Sequence, residues 1–97
     1  MATTAQLLFA EADGDVVVLD ALILDGGQLP PGTPVTLRLR PPETPLIASL
    51  VRSRLLEWAS LGEVVRLELR RRSRTTIAVV SDGRSAVSLD VRAPLVA

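Results

Sequence analysis

Hydrophobic positions along the chain change their period twice, and the changes divide it into seven segments. Gln6–Ala10 is a short apolar run. Ala12–Asp15 is polar and holds Gly14, which predicts a turn. Asp15–Leu24 carries Val16, Val17, Val18, Leu19, Leu22 and Ile23, a long strand interrupted by Asp20 and ended by Asp25-Gly26-Gly27. Leu29-Pro30-Pro31-Gly32 forces an extended approach and then a turn. Val35, Leu37 and Leu39 alternate with Thr36, Arg38 and Arg40, the signature of a half-buried strand.

After Pro41-Pro42 the period lengthens. Thr44 stands where an N-cap belongs, Pro45 suits the first helical position, and Gly62 suits C′. No Gly or Pro interrupts Leu46–Leu61, so one amphipathic helix is predicted over about 45–61. At 100° per residue, Ile47, Leu50, Val51, Leu55, Trp58 and Leu61 face the core. Ser49, Arg52, Ser53, Glu57 and Ser60 face away. Alternation then returns. Val65, Leu67 and Leu69 alternate with Arg66, Glu68 and Arg70. Ile77–Val80 is continuously apolar, Asp82-Gly83 signals a hairpin, and Val87, Leu89 and Val91 alternate with polar partners. Pro94 is expected to end regular structure. The expected order is β-β-β-α-β-β-β, an α+β fold with a mainly antiparallel sheet or partial barrel and one covering helix. An open sheet would leave two edges, where pairing between copies is expected. Charges at Arg38, Arg40, Arg66, Arg70 and Asp90 blunt aggregation there.

The 97 residues fit a single domain, 1–97. With Phe9 and Trp58 as its aromatics, its core must be aliphatic. No apolar run approaches the roughly 20 residues of a membrane helix. Met1–Phe9 lacks a basic stretch ahead of an apolar one, so no secretory leader is expected. Without cysteine there is no disulfide framework, and a cytoplasmic setting without membrane insertion is expected.

Charge changes the picture more. As far as Leu37 the charged side chains are Glu11, Asp13, Asp15, Asp20 and Asp25. From Arg38 onward there are 11 arginines against six acids, so the two parts carry −5 and +5. Such asymmetry predicts charge-complementary contact, within the fold or between subunits.

The chemistry available is narrow. The chain has no His, Cys, Lys or Tyr. It therefore lacks the commonest general base, the thiolate nucleophile, the Schiff-base amine, the phenolic acid and the usual transition-metal ligands. Asp13 and Asp15 flank a turn, and Asp25-Gly26-Gly27 lacks the Lys and helix start of a phosphate loop. No catalytic residue, metal or cofactor is expected. The leading expectation is a non-catalytic protein-interaction module, a homo-oligomer or a subunit of a larger assembly. Its interface would use Arg54 and Trp58, since Arg54 falls inside the apolar arc of the helix. The alternative is an anion, nucleotide or nucleic-acid site at Arg66, Arg70, Arg71, Arg72 and Arg74, where guanidinium forks could grip phosphate or carboxylate.

Arginine without lysine, Leu37-Arg38-Leu39, Pro45, Arg54-Leu55-Leu56, Gly62-Glu63-Val64 and Ile77–Val91 loosely resemble, in that order, the SsgA-like family of actinobacterial proteins. The resemblance covers roughly Leu29 to Val91 and implies a role in sporulation or cell division. Gly27-Gln28-Leu29-Pro30-Pro31-Gly32 followed by Val35, and Gly62-Glu63 followed by Val65, also look like domain 2 of translational GTPases. The same Pro-Pro-Gly segment, with the Arg70–Arg74 spacing, resembles PilZ domains, which would imply cyclic-dinucleotide binding.

Overall fold

A computed structural model describes residues 2–42 and 44–96. Its elements are β1 (Ala2–Asp13), β2 (Val16–Asp25), β3 (Pro34–Arg40), α1 (Pro45–Ser60), β4 (Val64–Arg72), β5 (Thr75–Ser81) and β6 (Ala86–Val96). The fold is α+β, with the expected order of elements. The strands are antiparallel, and the sheet is a closed barrel in the order β1-β2-β3-β6-β5-β4. Each half is a meander. The halves join at two seams, Ala2–Gln6 of β1 against Val64–Glu68 of β4 and β3 against β6.

Closure corrects the expectation of two open sheet edges, because β1 and β4 satisfy one another over their paired lengths. Inward positions form one aliphatic core. Leu7, Val17, Leu19, Leu37, Leu39, Val65, Val80 and Leu89 are all buried in it, and the alternation of β3 reads directly onto the barrel interior.

Helix α1 links the end of β3 to the start of β4 and packs against β1. Thr44 is its N-cap by position, although its hydroxyl makes no capping bond. The other end closes with a Schellman motif. The Glu63 N–H donates to the Trp58 carbonyl at 2.9 Å, the Gly62 N–H donates to Ala59 at 3.1 Å, and Gly62 is left-handed at φ 65°. The buried stripe of α1 is Ala48, Val51, Leu55, Trp58 and Ala59. This corrects the expected arc, since Ile47, Leu50 and Leu61 are exposed. Ala48 and Ala59 are buried beside Val51, Leu55 and Trp58, so the buried line is shifted round the helix toward the two alanines.

A second correction concerns Pro94. Strand β6 continues to Val96, with Pro94 opposite Leu37. Strand β5 pairs with β6 only over Ala86–Asp90, so beyond Asp90 one flank of β6 has no described neighbour. A residue without an N–H is tolerated on such a flank.

Candidate functional site

Three surface features matter: the β4–β5 hairpin, the contact of Arg54 with Trp58, and the outward face of α1.

The hairpin collects most of the predicted anion-binding residues. Arg66, Arg70 and Arg72 alternate along β4 with Leu67, Leu69 and Arg71, and Arg74 lies in the turn. All five arginines are exposed. Among the described residues β1 pairs with β4 as far as Glu68, and β6 pairs with β5 as far as Ile77. Among the described residues Arg71–Arg72 and Thr75–Thr76 pair only with each other, as a short ribbon beyond the β5–β6 pairing. Leu69 is half-exposed, although its alternation predicted burial. Ser73, at φ 52°, is the one non-glycine with positive φ among the described residues, and it makes the tight reversal. Arg70 donates from Nε to Oε1 of Glu68. That hydrogen bond, helped by the charges of Arg70 and Arg66, holds the Glu68 carboxyl below its ordinary pKa. Among the described residues Arg66, Arg71, Arg72 and Arg74 have no carboxylate partner.

The predicted charge complementarity is realised inside the fold elsewhere. Arg38 meets Asp13 at 3.6 Å and Arg40 meets Asp15 at 3.4 Å. Both pairs lie near the β1–β2 turn, where the β2–β3 register sets Arg38 beside Val18. These exposed pairs are each worth at most about 1 kcal/mol.

Arg54 and Trp58 are brought together, but differently from the expectation. The guanidinium carbon lies 5.9 Å from the Trp58 ring centroid, and Nη1 donates to Oγ of Ser85 at 3.2 Å. Trp58 is 2% exposed and belongs to the core. Its ring therefore has almost no surface to offer a partner, and Arg54 alone of the two is accessible. Asp82 completes this corner. Its carboxylate accepts from the N–H groups of Ser85 at 2.9 Å and Arg84 at 2.8 Å, which lowers its pKa, with a smaller lowering from the Trp58 indole.

The outward face of α1 is the feature that the sequence reading missed. Leu46 is 71% exposed and Leu50 63%, with Ile47 beside them at 47%. A signal was present. Pro45–Val51 contains no charged residue, so whichever side of that helix half faces solvent must be partly apolar.

A surface hollow of about 160 Å³ is lined by Arg40, Pro42, Ile77, Ser88, Leu89 and Asp90. That is well below the roughly 300 Å³ at which ligand pockets begin. Among the described residues no three carboxylates gather to hold a metal, and no helix is long and apolar enough to cross a membrane. No family model, curated protein or solved structure matches this chain.

Proposed function

We propose that this domain is a non-catalytic protein-interaction module, and that a protein partner or a second copy covers the first half of α1. The observation that carries the reading is the uncharged cluster Leu46, Ile47 and Leu50, held in solvent on a helix whose opposite side is locked into the core. Contiguous exposed aliphatics on a rigid element mark interaction surfaces more often than isolated ones do. Arg54 and Arg52 lie further along the same helix and supply a polar rim. The lack of His, Cys, Lys and Tyr supports a role without catalysis. As an alternative, the SsgA-like resemblance implies a regulator of sporulation or cell division.

The test is size-exclusion chromatography with light scattering on the wild type and on Leu46→Ser/Leu50→Ser, with affinity capture from native cells alongside. The wild type should self-associate, or capture a defined protein, and the double variant should do neither while melting as the wild type does. A wild type that is monomeric at high concentration and captures nothing overturns the reading.

A further inference from the structure

The β4–β5 ribbon is built as no other hairpin in the molecule is. Its segment from Leu69 to Thr76 holds four arginines and no acid. Glu68, at its base, is already engaged by Arg70. Successive residues point to opposite faces, so Arg70 and Arg72 occupy one face, Arg71 the other, and Arg74 the tip. Like charges this close destabilise a hairpin slightly. Among the described residues Arg71, Arg72 and Arg74 thus carry positive charge with no carboxylate partner.

We propose that this ribbon is a second binding site, for the phosphate backbone of double-stranded nucleic acid. Two antiparallel strands lie about 4.8 Å apart. A ribbon of that width enters a major groove of about 12 Å. Guanidinium groups on both faces and at the tip then reach the phosphates on either wall, each as a bidentate donor. A single strand is a poorer fit, because it would need aromatic platforms for its bases. Phe9 lies on β1, away from the ribbon, and Trp58 is in the core. With no side chain set to read base edges by a fixed contact, binding is expected to be independent of sequence. The site is separate from α1 and does not depend on the role proposed for that helix.

The experiment is fluorescence anisotropy with a labelled mixed-sequence DNA duplex of about 20 bp, titrated from about 20 mM salt upward. Arg71, Arg72 and Arg74 together should give a log–log salt slope near about −2.7, at about 0.9 per phosphate neutralised. Arg72→Gln/Arg74→Gln should flatten that slope by about 1.8. Arg84→Gln, on the distant β5–β6 turn, should leave it unchanged, as should Leu46→Ser/Leu50→Ser. All these side chains are exposed, so melting temperatures should stay near wild type. The proposal is overturned by no duplex binding at low salt, or by a slope that the ribbon variants do not change. Equal affinity for a single strand of the same length, or tighter binding to polyglutamate, overturns it as well. The last result would assign the ribbon to an acidic protein surface.

Discussion

Single residues in tight turns carry measurable free energy here. A Cβ placed on Gly26 would sit 2.7 Å from the backbone oxygen of Ala2, at φ 82°, whereas one on Gly14 would meet nothing within 4 Å. Gly14→Ala should therefore cost only the left-handed penalty of about 1–2 kcal/mol, and Gly26→Ala clearly more. Urea denaturation of the two variants isolates the clash. Ser73 already bears that left-handed penalty. Ser73→Gly should stabilise the fold by about 0.5 kcal/mol, after allowing for the greater freedom of glycine in the unfolded chain. Asp82 sets an acid limit. Its folded pKa is below the ordinary 3.8, so the ionised form stabilises the β5–β6 turn above that value, and the benefit is lost as pH falls through the folded pKa. Melting temperatures of wild type and Asp82→Asn, compared between about pH 6 and about pH 2, should converge at the acid end. At this scale the sequence was legible wherever backbone conformation decides. Gly62 announced its Schellman turn, and Gly14 and Gly83 their reversals. The left-handed Ser73 was not legible, because serine carries no such signal.

Elements were legible where alternation was strong and obscure where small residues do the packing. Strand β3 follows its pattern residue by residue, since Val35, Leu37 and Leu39 are buried and their neighbours are not. Helix α1 shows the opposite case. A wheel assigns the core to the largest side chains, but Ala48 and Ala59 are buried beside Val51, Leu55 and Trp58, and Ile47, Leu50 and Leu61 are left outside. The contrast is testable within the one helix. Leu55 is fully buried, and Leu55→Ala should cost about 3 kcal/mol. Leu50→Ala removes the same atoms from a side chain 63% exposed and should change stability by no more than about 0.5 kcal/mol. Thermal melts followed by circular dichroism read both. A large loss at Leu50 would mean that the isolated chain already buries that face. The hairpin arginines were legible as a cluster because they are consecutive. Their place beyond the β5–β6 pairing was not, because it depends on the register of β6.

The closed barrel as a whole could not be read from the sequence. Strand β1 begins with Ala2, Thr3, Thr4 and Ala5, which show no alternation, yet they form the seam with β4 some 60 residues later in the chain. Partners so far apart in sequence leave no local trace. The seams predict kinetics as well, since non-local pairings must form before the core is complete. Refolding should take milliseconds to seconds rather than microseconds. Trp58, the single tryptophan and fully enclosed, reports that step directly in stopped-flow fluorescence. The same seams have a consequence for synthesis on the ribosome. Strands β1 to β3 emerge first, with the future β4 and β6 pairing edges of β1 and β3 both open. At about 5–20 residues per second, the remaining chain takes several seconds to appear. For that interval the nascent half is a sticky three-stranded sheet, guarded on β3 by Arg38 and Arg40 and on β1 by little more than Thr3, Thr4 and Gln6. The N-terminal half of this small domain is therefore where a chaperone would be needed, and where a substitution harmless to the finished barrel could still lower its yield.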